Sequence, residues 1–300
     1  MRILHFSDLH VSLGLRRVPL LDWIGKRLAG GANLLRGRGR HFADAARKTL
    51  AIVDLDRRIE PDFVLCTGDL TALATHAEFA AARDLLEPLP DSPRFIVTPG
   101  NHDVYTGPTV REGRFRKYFE TGLSTDLPDL RTDGPWPLVR LLDDDAAVIA
   151  LNSARNNLLP WRSSGRIPPA QLEGLEAALA DPRLAGRFVF LMTHYAPCLA
   201  DGSPDTREHG LRNLDAFLAA AASIERGALL CGHVHDVFRR AIDAFPGEVF
   251  CAGSATYAGR EGAWVFDRDA SGTWRARRAT WKQDGYEVEP EGEPVAGQAS

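Results

Sequence analysis

Ile3-Leu-His-Phe-Ser-Asp8-Leu-His10 opens the chain with a short apolar, β-rich run that stops abruptly in a carboxylate and an imidazole. The same pattern returns four times. Phe63–Cys66 is followed by Gly68-Asp69, Phe95–Val97 by Gly100-Asn101-His102-Asp103, Phe188–Met192 by His194, and Ala228–Cys231 by Gly232-His233-Val-His235. Short apolar runs of this kind suit strands buried on both faces. Helical periodicity lies between them at Phe42–Arg58, His76–Leu86, Pro168–Ala180 and Leu211–Ser223. The alternation predicts α/β layering. Further strands are predicted at Ala147–Leu151 and Val249–Cys251, with a hairpin of Ala263–Phe266 and Trp274–Thr280 around Asp269–Gly272. In open α/β sheets ligands gather beyond the carboxyl ends of strands, and the polar residues stand there.

Asp8-Leu-His10 and His233-Val-His235 would each project two ligands to one side if the chain stayed extended, because side chains alternate with a period of two. Gly68, Gly100 and Gly232 supply tight bends beside Asp69, Asn101 and His233. Carboxylate, amide carbonyl and imidazole together suit a divalent Mn, Fe or Zn ion. Two such ions about 3.5–4 Å apart clamp a phosphoryl group and activate a water, and the pair needs a bridging carboxylate, for which Asp69 is the natural candidate. A single D-x-H or H-x-H arises readily by chance. Five fragments in order, each closing an apolar run, carry the inference.

The composition is that of a globular protein: 300 residues, 44% hydrophobic, 25% charged, formal net charge −4. It predicts one domain over residues 1–282 and a disordered tail over 283–300, from Gln283 to Ser300. The net charge gives no reason to expect a nucleic-acid partner and leaves a small-molecule phosphoester as the expected one. The opening apolar run is too short for a signal peptide, and no run approaches the roughly eighteen residues of a spanning helix. Cys66, Cys198, Cys231 and Cys251 lack C-x-x-C spacing and fit a reduced, cytoplasmic setting.

The complete series, Asp8-Leu-His10, Gly68-Asp69, Gly100-Asn-His-Asp103, His194 and Gly232-His-Val-His235, resembles the calcineurin-like metallophosphoesterase family, and no motif position departs from its pattern. The resemblance implies a four-layer αββα sandwich, two central mixed β-sheets flanked by helices. It implies Asp8, His10 and His235 on a first metal, Asn101, His194 and His233 on a second, and Asp69 between them. A bridging hydroxide would then attack phosphorus. His102 would protonate the leaving oxygen or stabilise phosphoryl charge, with Asp103 orienting it; a loop-bracing role for the pair is the alternative. Compact length and the Gly-His-Val-His ending resemble the class III cyclic nucleotide phosphodiesterases, so a cyclic nucleotide or related small phosphodiester is the expected substrate. Asn152-Ser153 is a further candidate for lining the pocket or for a turn.

Residues 11–41 interrupt the short path from the first strand to the first long helix. They carry Arg16, Arg17, Lys26, Arg27, Arg36, Arg38 and Arg40 among Leu20, Leu21, Trp23, Ile24, Leu28, Leu34 and Leu35. Such a basic amphipathic insertion suits peripheral contact with the inner face of a membrane, or a lid packed on the domain. The lipid option resembles the enzymes that hydrolyse the pyrophosphate of UDP-diacylglucosamine. A non-catalytic metal-binding scaffold is the reading from a different class, although the intact set of ligands speaks against it. A homodimer is the remaining partner expectation, with the hairpin near Ala263–Thr280 and the loop Gly107–Trp136 as candidate surfaces.

Overall fold

The computed structural model describes residues 1–14, 26–33, 39–159 and 161–296. Among them are two sheets. The first carries β1 (Arg2–Phe6), β2 (Phe63–Cys66) and β3 (Phe95–Val97). The second carries β4 (Leu138–Leu141), β5 (Ala146–Ala150), β6 (Phe188–Met192), β7 (Gly227–Cys231), β8 (Val237–Ala241) and β9 (Glu248–Ala252). The chain then returns to the first sheet with β10 (Gly262–Arg268), β11 (Trp274–Lys282), β12 (Gly285–Val288) and β13 (Glu293–Pro294). Strand order is β12-β11-β10-β1-β2-β3, with β13 on β11, in one sheet and β4-β5-β6-β7-β9-β8 in the other.

β1, β2 and β3 run parallel, as do β5, β6, β7 and β9, while β10–β12, β4 and β8 pair antiparallel at the flanks. Both sheets are therefore mixed, flanked by helices, and form the α/β sandwich that the motif series implied. One apolar core draws Ile3, Val64 and Phe266 from the first sheet together with Phe190, Leu230 and Phe250 from the second. Phe190 and Phe250 meet Phe266 at ring separations of 5.3 and 4.9 Å. Each such ring buries enough apolar surface to contribute about 1.5–3 kcal/mol. A second core covers the outer face of the second sheet with Leu175 and Phe217 of the helices Pro169–Leu179 and Leu214–Ala221.

The helix Ala45–Ile59 ends where Glu60 turns left-handed, and the helix His76–Leu85 starts from a reciprocal cap between Thr75 and Glu78. The hairpin around Asp269 is formed as predicted, with the Asp269 carboxylate accepting from the amides of Ser271 and Thr273. β4 and β8 were not expected. Each lies at a sheet edge and carries Arg140 or Arg239, the charged interruption that keeps edges from further pairing and blurs an apolar pattern.

The disordered tail needs correction. Beyond Lys282 the chain turns back as β12, and Tyr286 is buried with its hydroxyl donating to the Ala255 carbonyl. Val295, also buried, anchors the stretch beyond it. Two apolar anchors in polar surroundings suffice to order it, which composition alone conceals; 297–300 lie outside the described residues.

Most of the 11–41 insertion also lies outside them, including Arg16, Arg17, Leu20, Leu21, Trp23, Ile24, Leu34, Leu35, Arg36 and Arg38. Its described helix, Lys26–Asn33, turns Arg27 into the protein, where the guanidinium donates to the carbonyls of Leu73 and Ala74 and to Thr109. Leu28 faces outward. No described helix is long and apolar enough to cross a membrane.

Candidate metal centre

Asp8 and His10 follow β1, Asp69 follows β2, and Asn101 and His102 follow β3; from the second sheet His194 follows β6, and His233 and His235 follow β7. The parallel strands end toward one rim, so turns from both sheets deliver their side chains into one cluster. The local geometry corrects the extended D-x-H and H-x-H. Asp8, His10, Asp69, His233 and His235 all have positive φ, between 46° and 70°. Left-handed backbone coils the chain around the cluster instead of letting side chains alternate away from it. Each such residue costs about 1–2 kcal/mol, a strain that concentrates at functional sites. Ladder bonds from the Asp8 amide to the Gly68 carbonyl (2.8 Å) and from His10 to Asp69 (2.9 Å) hold the turns.

Two glycines are required by close approach. A Cβ on Gly232 would stand 2.1 Å from Ser7 Oγ and 2.3 Å from Asp8 Oδ2, and one on Gly100 would stand 2.1 Å from Asp69 Oδ1. Backbone from one turn thus packs directly on the carboxylate of another.

His10 Nε2 lies 3.0 Å from His235 Nε2 and 3.5 Å from Asp8 Oδ1, which is itself 3.1 Å from His235 Nε2. Asn101 Oδ1 sits 3.2 Å from His194 Nε2 and 3.0 Å from His233 Nδ1. Asp69 Oδ2 reaches both groups, 3.7 Å from His10 Nε2 and 3.5 Å from His194 Nε2. A cation about 2.0–2.2 Å from nitrogen and oxygen ligands spaces those ligands about 3 Å apart, so this donor set fits divalent ions. Asp8, His10 and His235 offer one such group; His10, Asp69 and His102 offer another, and Asp8, Asp69 and His194 a third.

The distal ring nitrogens are fixed from behind. His194 Nδ1 donates to the Thr67 carbonyl at 2.7 Å, and His233 Nε2 donates to the His209 carbonyl at 3.1 Å. These bonds set the tautomers and present His194 Nε2 and His233 Nδ1 inward. Ser7 donates to Asp8 Oδ2 at 2.5 Å.

The charges follow. Burial works to raise Asp8, but hydrogen bonds with His10 and His235 hold its carboxyl well below the ordinary range. Burial likewise opposes ionised Asp69, and the positive charges of His194 and His102 overcome it. Burial works against charge on His194 too, yet the Asp69 carboxylate raises it to about 9; burial and then His194 push His233 down to about 3.

His102 donates its backbone amide to Asp69 Oδ1 (2.6 Å), and its Nδ1 donates to the Ala72 carbonyl (2.7 Å). Tyr105 stacks on its ring at 5.2 Å. The expectation that Asp103 orients this ring is corrected. The buried Asp103 carboxylate accepts from the amides of Leu70, Thr71 and Gly100, so it braces the loop, and burial followed by repulsion from Asp69 raises it to about 7. Ser153 is likewise structural, its Oγ accepting from the amides of His194 and Tyr195, while Asn152 caps its own turn.

A cleft of about 340 Å³ opens over Asp69, Asn101, His102, His233 and His235. Ser163, Asp205 and His209 line its far side, and sequence reading missed all three because they follow no apolar run. Phe42, 4.6 Å from the His10 ring, was read only as the start of a helix.

A search of curated protein sequences finds no match. Among solved structures, a dimetal phosphatase from Danio rerio superposes with a TM-score of 0.65 at 16% identity, covering 99% of each chain. A protein of Thermus thermophilus aligns at 12% identity over 89% of this chain and 93% of its own, with a TM-score of 0.49. At such identities the first of these speaks for the fold. The calcineurin-like phosphoesterase family model matches residues 1–237, a span that holds every one of the clustered ligands. By that match, and with the fold and cluster in agreement, this chain belongs to the calcineurin-like phosphoesterase family.

Proposed function

We propose that the protein is a dinuclear-metal phosphodiesterase for a small phosphodiester, a cyclic nucleotide or a relative of one. Asp8, His10 and His235 would hold one cation, Asn101, His194 and His233 the other, and Asp69 both. Two divalent cations at such a site supply Lewis acidity and lower the pKa of a water to near neutrality. The supporting observation is Asp69, whose one oxygen faces His10 and His194 from opposite groups while the other accepts the His102 amide. This carboxylate therefore links the cation ligands to the residue beside the leaving group. With Nδ1 committed to Ala72, His102 exchanges its proton at Nε2, the atom that would protonate the departing oxygen. A diester suits this arrangement, because its leaving alkoxide needs that proton while its single negative charge needs few further cationic contacts.

A lipid-linked pyrophosphate is the second reading. Leu158, 87% exposed, and Trp161, 64% exposed, stand on the loop that supplies Ser163 to the cleft, an apolar rim suited to a lipid surface.

Turnover of bis-p-nitrophenyl phosphate and of p-nitrophenyl phosphate, measured after chelation and after Mn is restored, tests the proposal. Metal-dependent preference for the first is expected. Preference for the monoester would remove the diesterase reading, and full activity in chelator would remove the metal reading.

A further inference from the structure

Five arginines gathered on the two loops beside the cleft lack the carboxylate partners that several other arginines in this protein have. Arg183, Arg239 and Arg268 each pair with two acids. Among the described residues, Arg155, Arg162, Arg166, Arg207 and Arg212 have no carboxylate within ion-pair distance, and the buried Nε of Arg162 has no hydrogen-bond partner at all. Asp205 and Glu208 share the second loop, yet neither reaches these guanidiniums.

The two loops that carry them are fastened side by side. Ser163 donates to the Glu208 carbonyl (3.0 Å), Gly165 to Gly210 (3.2 Å), and Arg212 back to Gly165 (3.0 Å). Arg155 is held under them by bonds to Ser164. Burial, and then the charges of Arg212, Arg166 and Arg162, push the Arg155 guanidinium down from its ordinary value, although Tyr195 opposes them. The cluster is thus a concentration of positive charge on a protein of net charge −4. It is also rigidly connected to the metal-site residues. His209 bonds Ser163 through its ring (2.7 Å) and accepts His233 through its carbonyl, and the Tyr195 hydroxyl donates to the Ser163 carbonyl. A second cavity, lined by Arg207 and Arg212, adjoins the cleft across Asp205, which lines both.

We infer that this arginine cluster is a second anion subsite, and that the preferred substrate is a small phosphodiester carrying another phosphate beyond the scissile one. Guanidiniums match phosphate oxygens in planar, bidentate geometry, and fixed loops lose little freedom on binding. Cavities of a few hundred Å³ suit a small molecule better than a polymer. The inference rests on the phosphodiesterase reading and narrows its substrate class.

Two p-nitrophenyl esters test it: thymidine 5′-(p-nitrophenyl phosphate), and the same ester bearing a 3′-phosphate. They share scissile bond and leaving group. The added phosphate should raise kcat/KM about tenfold or more, the advantage should shrink steeply with salt, and Arg162→Gln with Arg212→Gln should abolish it. That double variant should turn over bis-p-nitrophenyl phosphate as the parent does. Equal turnover of the two esters by the parent, or an advantage that survives in the double variant, would overturn the subsite. If neither these esters nor bis-p-nitrophenyl phosphate is hydrolysed, the phosphodiesterase reading has failed separately. Calorimetry of thymidine 3′,5′-bisphosphate against thymidine 5′-phosphate then decides the subsite: tighter, arginine-dependent binding of the bisphosphate supports it, and equal binding rejects it. Arginine-dependent capture of a single-stranded oligonucleotide with no preference for the bisphosphate would reassign the patch to a polymer and reject the small-ligand form.

Discussion

The two sheets contribute unlike chemistry to one cluster. The first supplies both carboxylates, Asp8 and Asp69, with Asn101, His10 and His102; the second supplies imidazoles alone, His194, His233 and His235. On the first sheet the acids are held ionised against burial. On the second, two neighbouring histidines move in opposite directions, His194 to about 9 beside Asp69 and His233 to about 3 beside His194. Buried carboxylates are stable only with a positive partner, and imidazolium charge is a weak substitute for that of divalent ions. The division therefore makes closure of the two sheets against each other a condition for the site.

Removing the carboxylate at their junction should have the largest effect. Asp69→Ala is expected to lower turnover of bis-p-nitrophenyl phosphate by several decades and to reduce bound metal, measured by elemental analysis, because both ligand groups lose their common member. Near-normal metal content would mean that the two halves bind independently. Next comes His102→Ala, expected to retain its metal and to slow poor leaving groups about 10²–10⁴-fold while nearly sparing p-nitrophenolate. Loss of metal in that variant would move His102 from proton donor to ligand.

Smaller again are the two glycines. Gly232→Ala forces a methyl against Ser7 and Asp8, and Gly100→Ala forces one against Asp69. Each overpacking should cost about 1–3 kcal/mol in chemical denaturation. Because each glycine lies on a carboxylate, metal affinity should fall in both. A loss confined to Gly100→Ala would show that the first sheet alone organises the centre.

The sequence made the parallel strands legible because strands buried on both faces are written as uninterrupted apolar runs, as in Phe188–Met192. It made the ligands legible because each follows such a run directly. What it hid depends on three-dimensional closure. Ser163 and His209 meet only because two loops pair across 46 positions, and neither loop has a periodic pattern. The left-handed turns were equally hidden, since Asp and His carry no local signal for positive φ as strong as glycine does. The outward basic face expected of the insertion failed at Arg27. A guanidinium can satisfy several carbonyls at once, so arginine alone does not mark a solvated surface.

The smallest expected effect concerns the support of the first-sheet half. Segment 71–75 receives His102 at Ala72 and Arg27 at Leu73 and Ala74, and the buried Glu78 accepts the amides of Leu73 and Thr75. Burial raises the Glu78 carboxyl to about 7 from a model-peptide value of 4.5, although these hydrogen bonds and Arg27 oppose the shift. Between those values the folded chain holds a proton that the unfolded chain releases. This contribution is therefore fully present below pH 4.5, falls by up to about 1.4 kcal/mol per pH unit, and is lost as pH passes 7. Glu78→Gln keeps an acceptor for both amides but cannot ionise. Urea denaturation across pH 5–8 should find the two proteins alike near pH 5 and the variant gaining on the parent as pH rises. The opposite trend would mean that Arg27 keeps Glu78 ionised in the fold, and that the inserted helix braces His102 through charge as well as through hydrogen bonds.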